Sequence, residues 1–347
     1  MKIYRLICWF IVLSLTACAP RTAPTQVTIP TPTQMEMAIT STPAPTRPEP
    51  RAGHEIVYDA ALQMVLLVNV GSESSELGVP AKIWGWDGLQ WRVVNDERLE
   101  GRNLGGVAYD SKRNVLVVYG GWSPNKCYND TWEWNGQTWS KLPVEGPGVC
   151  DHFAMVYDSR RGRVVLFGGQ DPGMTLHGDT WEWDGSSWAK VIEESNTTPP
   201  KRTHYALGYD SEREVVLMFG GYSPTLGDLN DLWAWNGITW SEIKRDESPS
   251  ARTGARMAFD AKRKVMVLQG GNRNNTMLNE TWTWNGKKWT QVESENLPAR
   301  GYHAMTYDPI RERVVLFGGQ SGLTTASPLL GDTWEWDGKQ WVLVDAP

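Results

Sequence analysis

Between Arg300 and Val344 the chain alternates short apolar runs with turn residues. Val314 to Phe317 is β-branched and aromatic, and it stops at Gly318-Gly319. Trp334 and Trp336 flank Glu335, which is the two-residue period of a strand. Asp337-Gly338 separates two apolar runs. A type I′ turn needs positive φ at both central residues, so this pair predicts a hairpin. The signals together predict a four-stranded antiparallel meander, a-b-c-d.

The pattern occurs six times. An aromatic-Asp pair closes strand a at Tyr58-Asp59, Tyr109-Asp110, Tyr157-Asp158, Tyr209-Asp210, Phe259-Asp260 and Tyr307-Asp308. A glycine pair closes strand b at Gly120-Gly121, Gly168-Gly169, Gly220-Gly221, Gly270-Gly271 and Gly318-Gly319; the first repeat has Asn69-Val70-Gly71 instead. Each strand c carries two tryptophans, as in Trp84/Trp86, and each strand d carries one, from Trp91 to Trp341. A period of about fifty residues with four strands per repeat predicts an all-β fold, a six-bladed β-propeller of four-stranded antiparallel blades. The blades are expected at about 51–97, 102–144, 150–194, 202–246, 252–295 and 300–345.

The double glycine after an apolar strand, the spaced aromatics downstream and the period resemble the kelch repeat, as in the central domain of galactose oxidase. The resemblance runs from Arg51 to about Val344. It implies a propeller with strand a innermost, used as a binding platform and less often as an enzyme.

Lys2 and Arg5 precede the apolar run Ile7 to Leu15, and Leu15-Thr16-Ala17-Cys18 follows. This resembles a bacterial lipoprotein signal, and implies lipidation at Cys18. The run is shorter than the roughly 20 residues of a membrane span. A cleaved signal of the ordinary kind and a short anchor are the other readings. Residues 1–18 are thus expected to be a signal and 51–347 the propeller. Between them, 19–50 holds eight Pro and eight Thr, a composition that builds no core and favours an extended stalk. The expected location is outside the cytoplasm, anchored to the bacterial cell membrane or outer surface by lipid on Cys18.

The net charge of −6 argues against nucleic-acid binding, which needs a basic footprint. Eighteen of the twenty tryptophans fall in the repeat, so their abundance is architectural rather than a sugar-stacking ladder. Of four cysteines, Cys8 and Cys18 lie in the leader. Cys127 and Cys150 remain, in an exported setting, on one face of neighbouring blades. A disulfide is expected, with two free thiols as the alternative.

Strand directions separate two faces. The a-b and c-d turns share one face and are short and uniform. The b-c and d-a loops share the other and differ in every blade, which is where a rigid scaffold usually carries its chemistry. Seven residues before each strand-a aromatic stand Arg51, Arg102, Arg202, Arg252 and Arg300, with Cys150 in the third repeat. They predict an incomplete arginine ring at the channel mouth, suited to carboxylates because guanidinium binds them through two parallel hydrogen bonds. The alternative is that each arginine pairs with a loop carboxylate or a backbone carbonyl and fixes blade spacing. Trp122, Gln170, Tyr222, Asn272 and Gln320 follow the glycine pairs and add aromatic and amide chemistry.

His54, His152, His177, His204 and His303 show no metal-ligand spacing, so no metal and no cofactor are expected. His152 and His204 hold one repeat position, His54 and His303 the next, and neighbouring strand positions point to opposite faces. No residues match the copper site of galactose oxidase. The reading is an envelope-anchored binding or scaffold module for a protein partner or an anionic glycan. The competing reading is a sugar-modifying enzyme, by analogy with a periplasmic kelch propeller that interconverts sialic-acid anomers.

Overall fold

A computed structural model describes residues 46–68, 81–99, 102, 105–123, 126–245, 247–293, 296–324 and 326–347. The expected signal, the lipid site at Cys18, nearly all of the stalk and the first blade's Asn69-Val70-Gly71 lie outside them.

Residues Pro45–Pro347 form one compact unit. Among the described residues there are six four-stranded antiparallel sheets and two two-stranded ribbons. The chain is therefore the six-bladed propeller that the repeat predicts. The sixth blade shows the plan: strand a is Ala304–Asp308, b is Arg313–Gln320, c is Leu329–Trp336 and d is Trp341–Asp345. The six a strands are Glu55–Asp59, Gly106–Asp110, Asp151–Asp158, Ala206–Asp210, Arg256–Asp260 and Ala304–Asp308, and they line the central channel. Trp336 pairs with Trp341 across the Asp337-Gly338 turn, and the same pairing recurs in every blade.

Each of the six buried apolar clusters is shared by two adjacent blades. One of them joins Ile56, Leu67 and Trp91 of blade 1 to Ala304, Val315 and Phe317 of blade 6, so the ring is closed. The strand-d indoles add a polar stitch. Trp188, Trp240, Trp341 and Trp91 donate from Nε1 to Thr131, Thr180, Thr281 and Thr333 of the preceding blade, at 2.8–2.9 Å. A buried indole N–H needs such a partner.

The glycine pair follows the end of strand b in blades 2 and 5, as expected, but not in the other three blades that carry it. In blades 3, 4 and 6 strand b runs through it, with a bulge between Phe167 and Gly169, Phe219 and Gly221, and Phe317 and Gly319. Both glycines have positive φ, 65° and 104° at Gly318 and Gly319. A Cβ on Gly318 would lie 2.8 Å from the Arg51 carbonyl oxygen of the next blade. Glycine is required here by conformation and by close backbone approach together.

On the turn face, Asp308 accepts from the amides of Ile310 and Arg311 at 2.9 Å, the capped turn expected of Asp-x-x-Arg. The Arg311 side chain then lies over Gly88 of blade 1, where a Cβ would come within 2.7 Å of its Cδ.

Candidate functional site

The five arginines do not form an open ring at the channel mouth. Each is buried, from fully covered at Arg202 and Arg300 to 5 % exposed at Arg51. Arg202 donates to both carboxylate oxygens of Asp231 at 2.6 and 2.7 Å, and to the Gly220 carbonyl at 2.9 Å. Arg300 repeats this with Asp332 and Gly318, whereas Arg252 donates to Glu280 Oε2 and the Gly270 carbonyl, and Arg102 to Asp130 Oδ1 and the Gly120 carbonyl. Burial pushes Asp130 upward, but the Arg102 charge and its hydrogen bonds outweigh this and hold the carboxyl at about 2. Meanwhile the backbone of Arg252 pairs with Leu229 and Gly221 of blade 4, and that of Arg300 with Leu278 and Gly271 of blade 5. Arg252 and Arg300 thus tie the glycine pair of their own blade to that of the blade before. The backbone of Arg51 pairs with Leu330 and Gly319 of blade 6, which carries the same backbone pairing across the seam. The reason the expectation of a ligand ring fails is desolvation: the guanidinium groups are sealed from solvent, and those of Arg102, Arg202, Arg252 and Arg300 are already seated on carboxylates of their own blades.

Cys150 replaces the arginine in blade 3, and the stitch there is covalent. Cys150 is bonded to Cys127 of blade 2 with a Cα–Cα separation of 5.4 Å, and its carbonyl still accepts from Gly121.

The residues after the glycine pairs do lie on the loop face, beside the channel mouth. Tyr222, Asn272 and Gln320 pair with Thr203, Thr253 and Gly301, and Gln170 with Asp151. Trp122 and Tyr222 are exposed, at 41 % and 44 %. Gln170 and Gln320 are half-buried, whereas Asn272 is buried and does not present its amide to solvent.

The mouth itself is built by the residues just inside that circle. Gly254 donates its amide to the His204 carbonyl, Tyr302 to Gly254, and Gly53 to Tyr302, each at 2.8 Å. This backbone chain holds Gly53, His204, Gly254 and Tyr302 at φ of 54–68°, and His152 at 59°. Left-handed backbone is the natural place for glycine, and two blades use it. Blades 3, 4 and 6 place His152, His204 and Tyr302 there, at a cost of about 1–2 kcal/mol each. Their rings meet edge to face, His152 to His204 at 5.0 Å and His204 to Tyr302 at 5.2 Å. With Glu55 and Arg256 they line a recess of about 40 Å³. Arg256 Nη2 lies 3.0 Å from Glu55 Oε1. Burial lowers His204 to about 4, helped by His152 and Arg256, so its imidazole is neutral at pH 7. Burial also raises Glu55, against the pull of Arg256.

The expected split of the histidines holds. His152 and His204 share the mouth, while His54 and His303 are fully buried between blades. His177 is on the loop face, 3.0 Å from Asp171.

A family model described as the KLHDC2/KLHL20/DRC7 Kelch-repeats domain matches residues 106–319, well over half of the sequence. The chain belongs to the kelch-repeat family. Among solved structures, this kelch propeller is similar to that of YjhT, with a TM-score of 0.65 and 14 % identity over 87 % of this chain and 99 % of that one. At that identity the likeness shows the fold alone. No curated protein sequence matches the chain. Within the kelch frame, sequence reasoning missed Glu55 and Arg256. The signal was present: the same repeat position holds Gly106, Ala154, Ala206 and Ala304 in the other blades.

Proposed function

We propose that the chain is a binding module of the bacterial envelope, held there by lipid on Cys18, that takes a protein partner or an anionic glycan on its loop face. The observation that carries this reading is the aromatic cluster at the mouth. Three blades place His152, His204 and Tyr302 on backbone that glycine would occupy at lower cost, and strain of this kind gathers at functional positions. Around it stand the exposed rings of Trp122 and Tyr222, the amides of Gln170 and Gln320, and Arg256 as the cation of the mouth. Aromatic faces with amides suit a sugar ring or a peptide, and a guanidinium suits a carboxylate. The test is a glycan array run beside affinity capture, with the native chain and the Trp122→Ala/Tyr222→Ala double variant. A ligand retained by the native chain and lost by the variant, with melting unchanged, is expected. Equal retention by both would remove the loop face from the reading.

One observation favours an enzyme acting on a sugar. A neutral imidazole at His204 and a raised carboxyl at Glu55 line the same recess, and such a pair can pass a proton to and from a hydroxyl. Proton-exchange NMR of reducing sugars distinguishes the two. Anomer exchange accelerated by the native chain and slowed by His204→Ala would establish catalysis.

A further inference from the structure

We infer that the central channel holds a second site, opening on the turn face, that takes a small hydroxylated carboxylate with Arg256 as its anchor. This goes beyond the loop-face reading, and the two cavities share Glu55, Ala154 and Arg256 at the neck.

The first observation is the neck. Three residues before the strand-a aromatic stand Gly106, Ala154, Ala206 and Ala304 in four blades, and Glu55 and Arg256 in the other two. Four blades close around the channel with a small residue here, so the propeller does not need a charge at this place. The two charges meet, Arg256 Nη2 to Glu55 Oε1, at 3.0 Å. Arg256 Nε also donates to the His303 carbonyl at 2.9 Å, which fixes the guanidinium against blade 6. A carboxylate is therefore already seated on an arginine inside the channel, supplied by the chain itself.

The second observation is volume. Glu55 and Arg256 line two cavities, one on each side of the neck. The recess on the loop face measures about 40 Å³, room for a few waters. The chamber on the turn face measures about 330 Å³, the lower end of the range for small-molecule sites. Its wall is strand a of all six blades, with Tyr58, Tyr109, Tyr157, Tyr209, Phe259 and Tyr307 towards its turn-face end. In each blade strand a is an edge strand, so the wall offers main-chain N–H and C=O groups of an edge to a polar guest. Hydroxyl groups satisfy such a wall, and a carboxylate satisfies Arg256. A molecule of monosaccharide size with one carboxylate fits both. It would displace Glu55 from the guanidinium, because two carboxylates cannot share that edge without repulsion.

The test uses saturation-transfer NMR and calorimetry on the full chain, with D-glucuronate as probe and D-glucose as the neutral control. Glucuronate should bind and glucose should bind at least tenfold more weakly. Arg256→Gln should abolish the binding. Glu55→Gln, which removes the internal competitor, should tighten it several-fold. Ser211→Trp, at the turn-face opening, should block it, while Tyr222→Ala on the loop face should leave it unchanged. Loss with Tyr222→Ala, full binding by Ser211→Trp or Arg256→Gln, or no binding of glucuronate by the native chain would each overturn the inference. Circular dichroism of each variant checks that the blades are intact, and Glu55→Gln keeps the proposal testable if Arg256→Gln does not fold.

Discussion

Arg300 and Asp332 are joined by two parallel hydrogen bonds, both 2.8 Å, with the arginine side chain wholly sealed from solvent. The same guanidinium bonds the Gly318 carbonyl, and the arginine's own backbone pairs with the preceding blade. One residue thus fastens two blades by two different kinds of bond.

Removing the guanidinium leaves a largely covered carboxylate and an unpaired carbonyl. Arg300→Ala is expected to lower stability by about 3–5 kcal/mol, the usual cost of breaking a buried pair from one side. Arg300→Lys should recover little, because an ammonium cannot form the parallel pair. Urea denaturation measures both. Unchanged stability with lost ligand binding would return the arginine to the ligand.

The Cys127–Cys150 bond replaces this fastening between blades 2 and 3. Its loss should cost about 3 kcal/mol, the typical worth of a disulfide closing a loop of this length. Non-reduced peptide mass spectrometry should find the two cysteines linked, and Cys127→Ser should lower the melting temperature. Identical melting with and without reductant would show that the link does not matter.

Thr281 accepts from Trp341 Nε1 at 2.9 Å inside the interface of blades 5 and 6. Thr281→Val keeps the shape and removes the acceptor. The expected cost is about 1–3 kcal/mol, that of a buried donor left unpaired. A double-mutant cycle with Trp341→Phe should show that the two changes are coupled.

His54 and His303 set an acid limit. Burial, with Arg51 and Arg256 beside His54 and Arg300 and Arg256 beside His303, holds both pKa values well below 6.5. The unfolded chain therefore binds protons that the folded chain does not. Their contribution is fully present above about pH 6.5 and is lost as pH falls below it, by up to about 1.4 kcal/mol per pH unit for each group. Denaturation midpoints between pH 7.5 and 5 should fall for the native chain and fall less for His54→Phe and His303→Phe. Parallel slopes would exclude these two residues as the cause.

The repeat made the architecture legible from the residues alone. A two-residue alternation, Asp-Gly turns and six tryptophan triplets permit one solution, because each blade can bury its faces only against a like neighbour. The Asp turns follow from the same local rules, and the Cys127–Cys150 pairing was expected because both cysteines fall on one face of neighbouring blades. Repetition also hid the site. Arg202 and Arg252 looked like a ligand ring because a sequence shows charge but not its partner, and Asp231 and Glu280 stand 29 and 28 residues away. Glu55 and Arg256 are separated by most of the chain and were unreadable as a pair. Only closing the ring brings blade 1 beside blade 6 and within reach of blade 5, and that proximity makes two isolated charges into the neck of a channel.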